Sequence, residues 1–331
     1  MPAFIRRNFI PAAAALLLSM PMPDNALAAT VALSIPAPPK HMPAAWAKAE
    51  VLPLWSAAAP GHEGFRRVDQ PAGAPEVFLV NVESPDLHVF RPRKSNGRGL
   101  LVIPGGAYKF VSVANEGAAM AERLCPLGYT VFVLTYRLPG EGWDARSDVP
   151  LQDAQRAMRV IRSRAAHYGI DAPGLGVLGF SAGGHLAASL AVGYAEHVYQ
   201  ARDEADALSA KPHSVALIYP VVTMDSRWTH ALSRTQLLGE SPPDDRVALR
   251  SPNLHVDAST PPIFIAHAMD DQAVPVENSF LMLEAMRAAG RPVEAHLLQE
   301  GGHAFGTGYR ATPSSFWIDL YTSWLGRLPA E

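Results

Sequence analysis

One cysteine, Cys125, stands in a chain of 331 residues, so no disulfide within the chain can hold the fold together. Its neighbours Ala121, Leu124 and Pro126 predict a buried helix end, where a thiol is inert rather than nucleophilic. Charge of one sign is equally scarce: 28 Lys and Arg stand against 31 Asp and Glu. That balance gives no electrostatic footing for nucleic acid or an anionic membrane surface as partner. The one notable basic cluster in the body, Arg91, Arg93 and Lys94, reads as the decoration of a hairpin loop ending at Asn96-Gly97. The histidines lack the clustered spacing of metal ligands, and Gly105-Gly106 is not followed by the lysine-serine pair of a phosphate loop. No cofactor and no metal is implied, and no internal repeat is seen.

What is present in quantity is apolar residue, 48% of the chain, enough for a large buried core. Residues 1–28 read as a signal peptide: Arg6-Arg7 at the start, a short apolar core from Phe9 to Met20, and Ala26-Leu27-Ala28 as a small-x-small cleavage site. The apolar core is too short to span a bilayer. Arg6-Arg7-Asn8-Phe9-Ile10 is similar to a twin-arginine export signal, although Ile5 departs from its usual serine or threonine. Export to the periplasm or beyond is therefore the expected localisation. Residues 29–50, rich in Pro and Ala, are expected to be a flexible leader outside the fold, with a single catalytic domain over 51–328.

The body begins with two short β-favouring runs, Val77 to Val80 and Leu87 to Phe90, expected to form an antiparallel pair. Strands and helices then alternate. Strands are predicted at 100–103, 130–136, 175–180, 215–219, 263–266 and 293–298, and helices at 116–124, 151–167, after Ser181, 275–290 and 315–325. Such alternation predicts an α/β fold, a mostly parallel central sheet with helices on both faces. Two segments break the pattern. Glu196 to Pro212 is charged and expected to be helical. Val221 to Thr260 is a long insertion near the strand C-termini, read either as a cap over a ligand site or as a peripheral decoration.

The chemistry is organised around Gly179-Phe180-Ser181-Ala182-Gly183-Gly184-His185, at a predicted strand-to-helix junction. A serine on so sharp a turn projects its hydroxyl above the sheet, and the amide of Ala182 at the helix start faces a developing oxyanion. The hydroxyl needs a base, and the base needs a carboxylate to fix its tautomer. Past the strand at 263–266 lies Asp270-Asp271, and past the strand at 293–298 lies His303 between Gly301-Gly302 and Gly306. The order serine, acid, histidine is thus met at successive strand ends. Ile103-Pro104-Gly105-Gly106-Ala107-Tyr108 follows an earlier strand and supplies Gly106 and Ala107 as further oxyanion donors. Residue chemistry alone does not separate Asp270 from Asp271, because either carboxylate can instead cap loop amides.

Together with Leu54-Trp55, Ala59-Pro60, Glu116-Gly117, Tyr136-Arg137-Leu138-Pro139, Tyr219-Pro220 and Val274-Pro275-Val276-Glu277-Asn278-Ser279, these motifs resemble the α/β-hydrolase superfamily. Within it, they are most similar to bacterial exported carbohydrate esterases of the acetyl-xylan type. The resemblance implies a serine esterase that releases acetyl groups from plant cell-wall polysaccharides or oligosaccharides. It favours Asp271 over Asp270 by the spacing to Val274-Pro275. Tyr108, beside the donor glycines, is the candidate substrate-binding residue. Pro104 stands where lipase-like relatives carry a histidine, which argues against that branch. The expected partner is a small-molecule or oligosaccharide ester, with neither nucleic acid nor membrane.

Several residues carry two readings. His185 and His267 are expected to pack and hydrogen-bond rather than react. Glu116 and Arg137 form a buried pair beneath the donor loop, or lie at the surface. Trp55, Trp143 and Trp228 are sugar-stacking faces, or packing residues. Tyr108 shapes the acyl pocket, or packs. Competing activities are a feruloyl or other carboxylesterase and a prolyl-oligopeptidase-like serine peptidase; the stretch before Glu76 is short for the large N-terminal propeller such peptidases carry. A non-catalytic binding protein of this fold would be expected to have a broken triad.

Overall fold

The computed structural model describes residues 39–70 and 73–329, all within one compact unit, Ile35–Glu331. The proposed signal peptide and the first part of the proposed leader lie outside the described residues.

Ten strands are present among the described residues: β1 Glu50–Pro53, β2 Phe78–Leu79, β3 Asp86–Phe90, β4 Gly99–Ile103, β5 Val111–Ser112, β6 Thr130–Leu134, β7 Gly176–Phe180, β8 Val215–Ile218, β9 Ile263–Ala268 and β10 Val293–Leu298. Eight of them form one sheet in the order β1-β3-β6-β4-β7-β8-β9-β10. The pairs from β6 to β10 are parallel; β3 is antiparallel to both of its neighbours, so it alone runs the other way and β1 is aligned with the rest. Central strands β4, β6, β7, β8 and β9 are buried at every residue. A strand buried on both sides needs cover on both faces, which is why these segments are apolar without alternation.

The cover is helical: α1 Ala44–Ala47, α2 Ala119–Leu124, α3 Val149–Ser163, α4 Ala165–Tyr168, α5 Ser181–Gly193, α6 Ala231–Leu238, α7 Asp244–Leu249, α8 Glu277–Ala288 and α9 Trp317–Arg327. Helix α3 opens with Pro150 near its N-terminus, where a missing N–H breaks no intrahelical bond. It packs on α5, which lies on β7 and β8.

Four expectations are corrected. The runs at 77–80 and 87–90 do not pair with each other: β2 pairs with β5, and β3 pairs with β1 and β6. Asn81 in the left-handed region, φ 58°, turns the chain between them. The loop carrying Arg91, Arg93 and Lys94 is a crossover rather than a hairpin, because β6 lies between β3 and β4. The flexible leader does not extend to residue 50, since Trp46 of α1 is buried and stacks on His88 at 3.7 Å between ring centroids, and β1 starts at Glu50. Glu196 to Pro212 holds only a 3-10 turn, Glu204–Ala207, because its charges are used in pairing. Arg156 of α3 binds Asp203 and Asp206 there.

The segment after β6 is clamped from behind. Arg137 and Asp153 of α3, both with fully buried side chains, form a pair at 2.8 Å. Arg137 also donates to Gln152 Oε1, and Trp55 Nε1 donates to Asp153. The rings of Trp55 and Trp143 lie against the guanidinium, so these two tryptophans pack instead of offering sugar-stacking faces. Neighbouring Tyr136 donates its hydroxyl to the carbonyl of Pro104, immediately before the donor glycines. The insertion is pinned to the elbow helix as well. His185 of α5 donates from Nε2 to the Arg250 carbonyl at 2.8 Å and accepts the Tyr108 hydroxyl at Nδ1 at 2.7 Å. Cys125 is half-buried, and burial pushes its thiol up to about 11.

Two stability measurements test this packing. Asp153→Ala strands the Arg137 charge in the core and is expected to lower the unfolding free energy by about 3–5 kcal/mol in urea titrations; a loss below about 1 kcal/mol would mean that other groups take over the guanidinium. Burial, opposed by the Arg250 carbonyl bond and reinforced by the Arg250 charge, pushes His185 from its ordinary 6.5 down to about 4. Between those pH values the unfolded chain takes up a proton that the folded chain refuses. The His185 contribution is therefore intact above about pH 6.5 and is lost as pH falls toward 4, by up to about 3 kcal/mol. The urea midpoint should drop between pH 7 and pH 4.5, and drop less in His185→Gln.

Candidate active site

The elbow that carries Ser181 is set by close backbone approach. A methyl group on Gly183 would run into the carbonyl oxygens of Ile103 and Pro104, so only glycine lets α5 start directly against the end of β4. Ser181 itself takes a left-handed conformation, φ 51°, at the junction of β7 and α5. That conformation is costly for a residue with a side chain, and here the packed strand and helix on either side enforce it.

Its hydroxyl donates to His303 Nε2 at 2.9 Å. His303 Nδ1 donates to Asp271 Oδ2 at 2.7 Å. Residues 122 positions apart thus meet above the C-terminal ends of β7, β9 and β10. Asp271 is buried and accepts four bonds. Oδ1 takes the Ala273 and Val274 N–H groups at 2.8 and 2.9 Å, and Oδ2 takes His303 together with His267 Nε2 at 3.1 Å. Burial alone would raise this carboxyl, but the bonds from His267 and His303, the charge of His303 and the Val274 N–H outweigh it. They hold Asp271 well below the usual carboxylate range. His267 accepts the Ser279 hydroxyl at Nδ1, which fixes the tautomer that donates to Asp271. Asp270 does the other job weighed for it, accepting the Gly302 N–H at 2.8 Å and fastening the loop before His303.

The donor loop is shaped by three consecutive left-handed residues, Gly106 at φ 128°, Ala107 at 56° and Tyr108 at 58°. Its own bonds run from the Lys109 and Phe110 N–H groups to the Gly106 carbonyl and from the Ser112 N–H to the Gly105 carbonyl. They use no amide of Gly106 or Ala107. Ala182 lies in the first turn of α5, where helix amides have no intrahelical acceptor. Tyr108 is not brought to a substrate surface: it is 1% exposed, and its hydroxyl is taken by His185.

Glu116 and Arg137 are both buried yet do not pair with each other; Glu116 accepts from Gly105 N–H and from the Tyr219 hydroxyl. Sequence reasoning held Tyr219 only as part of the Tyr219-Pro220 motif and gave it no role; its ring stands edge-on to the His303 imidazole at 4.9 Å. Its place at the end of β8 was the available signal. It also missed His230 of the insertion, which burial and the charge of His303 push down against the opposing pull of Asp271. Segment Val221 to Thr260 is fastened beside the site, its Arg250 carbonyl accepting His185 Nε2 at 2.8 Å and its Trp228 carbonyl accepting Asn278 Nδ2 at 2.7 Å. Trp228, in the same segment, is half-buried with Arg227 over its ring at 4.7 Å. A cleft of about 500 Å³ lies alongside, lined by Phe78, Ser112, Asn115, Glu116, Ala304 and Tyr309 among others.

Comparison with known proteins places this geometry. The chain is 38% identical over 204 residues to endo-1,4-beta-xylanase B of Butyrivibrio fibrisolvens, covering 62% of this chain and 32% of that protein. It is 31% identical over 245 residues to an acetylxylan esterase of Xylanibacter ruminicola, covering 73% of this chain and 48% of the relative. The chain thus spans about a third to a half of the length of these curated relatives. The crystal structure of an acetyl ester-xyloside bifunctional hydrolase from Caldicellulosiruptor lactoaceticus superposes with a TM-score of 0.69 at 31% identity, over 84% of this chain and 96% of that one. A family profile described as BD-FAE matches residues 86–286, well over half of the sequence. With a mostly parallel eight-stranded sheet, a serine elbow and this match, the chain belongs to the BD-FAE family of α/β-hydrolases.

Proposed function

We propose that this chain is a serine esterase that hydrolyses short-chain esters, acetyl above all, on plant cell-wall carbohydrates. One observation carries the reading: a continuous hydrogen-bonded line from the Ser181 hydroxyl through His303 to an ionised, buried Asp271. His303 takes the proton as Ser181 attacks the ester carbonyl. Asp271 holds the imidazole in the tautomer that accepts at Nε2 and stabilises it once charged. The amides of Gly106, Ala107 and Ala182 receive the oxyanion. The tetrahedral intermediate collapses, the sugar hydroxyl leaves with the proton from His303, and water activated by His303 then releases the acyl group.

The acetyl and xylan parts of the proposal are supported by the names of relatives, one an acetylxylan esterase and one an acetyl ester-xyloside hydrolase. The N-terminal pattern of Arg6-Arg7, an apolar core and Ala26-Leu27-Ala28 supports export to where such polysaccharides lie. Among the described residues no helix is long and apolar enough to cross a membrane.

Ser181→Ala is expected to reduce turnover of 4-nitrophenyl acetate about 10⁶-fold. Asp271→Asn should reduce it about 10⁴-fold, because the amide misplaces the tautomer. Wild-type rates in purified, folded Ser181→Ala would end the serine mechanism. Initial rates on acetyl, butyryl and feruloyl esters, acetylated xylan and aminoacyl anilides test the substrate: acetyl esters should lead, and faster anilide cleavage would move the chain to the peptidases.

A further inference from the structure

Acyl transfer by the triad leaves the buried carboxyl of Glu116 without a task. Glu116 lies in a single π-helical turn, Ala114–Ala118, just before α2. Such turns insert an extra residue into a helix and recur at functional sites. Its Oε2 accepts the Gly105 N–H at 2.7 Å, and its Oε1 accepts the Tyr219 hydroxyl at 2.9 Å. The Tyr219 oxygen in turn accepts the Gly306 N–H at 3.1 Å. Gly306 is anchored from its other side, where its carbonyl accepts Trp317 Nε1 at 2.9 Å. Three bonds therefore run without interruption beneath the site, from the residue before the oxyanion amides to the loop three residues past His303.

The chemistry fixes every direction in that line. The Gly105 and Gly306 N–H groups can only donate, so Glu116 Oε2 and the Tyr219 oxygen accept from them, and the tyrosine hydroxyl gives its proton to Glu116 Oε1. Burial raises the Glu116 carboxyl, while the Gly105 and Tyr219 bonds and the charge of His303 work against that rise. Tyr219 holds a left-handed backbone, φ 38°, and two residues on the Val221 N–H donates to the Ser181 carbonyl at 3.2 Å. The relay thus joins the loop of the oxyanion donors to the loop of the base, and it passes two residues from the amide that holds the Ser181 carbonyl.

We propose that Glu116 is a positioning residue that, through Tyr219, fixes the separation between the oxyanion loop and the His303 loop. The proposal rests on the reading of Ser181 as nucleophile. A displacement of about 1 Å between such groups is worth on the order of 10²-fold in rate, which sets the scale of the expected effect.

The test uses Glu116→Gln and Tyr219→Phe in the full chain, with the number of reactive sites counted by fluorophosphonate titration. In Glu116→Gln one oxygen replaces two, so either the Gly105 amide or the Tyr219 hydroxyl loses its acceptor. Both variants should turn over 4-nitrophenyl acetate about tenfold to a hundredfold more slowly per titrated site. KM should stay within about twofold, as for interactions made only in the transition state. The double variant should be no slower than the slower single one, because both break the same relay. A per-site kcat within about threefold of wild type in Tyr219→Phe and Glu116→Gln overturns the proposal, whatever happens to melting temperature or titratable fraction. So does a raised KM at unchanged kcat. Should Glu116→Gln not fold, Tyr219→Phe, which deletes one oxygen, decides alone. Failure of the nucleophile reading looks different: wild-type protein would then not be titrated by fluorophosphonate at all.

Discussion

An ionised carboxylate out of water is tolerable only when its lone pairs are filled, and Asp271 has all of them filled. Two backbone amides of its own loop and two imidazoles do the filling. Each donor is in turn placed by something farther away. His267 sits in β9 and is oriented by Ser279 of α8; His303 sits beyond β10 on a loop that Asp270 fastens through Gly302. A neutral Asp271 would have one oxygen turned donor, and the line to Ser181 would lose its direction. The sheet order follows from the same requirement, since it sets β7, β8, β9 and β10 side by side with their C-terminal ends at one edge.

Strain collects where this requirement meets the backbone. Ala107, Tyr108, Ser181, Tyr219 and Ala304 all hold left-handed conformations that glycine would adopt freely. Each is worth about 1–3 kcal/mol of unfavourable conformation. The surroundings hold them there. Ala304 presents its carbonyl to Asn115 and Tyr309, Tyr108 is locked by His185, and Tyr219 by Glu116. Side-chain bonds hold Tyr108, Tyr219 and Ala304, while Ser181 is held by the strand and helix packed on either side of it.

The parts legible in the sequence are those whose physics is local or strongly patterned. Leu100 to Ile103, Thr130 to Leu134 and Gly176 to Phe180 are apolar without a break because both of their faces are covered, and that pattern is visible in one dimension. The order of Ser181, Asp271 and His303 was legible because the first two follow such strands and the third follows the strand-like run Val293 to Leu298. What stayed hidden depends on choice among equals far along the chain. Glu116 had Arg137 as an apparent partner, yet Arg137 found Asp153 about one turn into α3 and Glu116 found the Gly105 amide and the Tyr219 hydroxyl. Charge in Glu196 to Pro212 looked helical, but Asp203 and Asp206 are spent on Arg156, which no local rule foresees. Tyr108 looked available for substrate until His185, 77 residues on, took its hydroxyl.

His303 hangs from the last strand, β10, whose residues are half-buried where those of the central strands are fully covered, and which has a hydrogen-bonded neighbour on one side only. Peripheral strands of this kind detach before the interior does. The base is thus mounted past a strand at one margin of the sheet, while the nucleophile follows β7, which is paired on both sides. Loss of turnover on warming then reports fraying at one margin of the molecule, well before circular dichroism registers collapse of the whole.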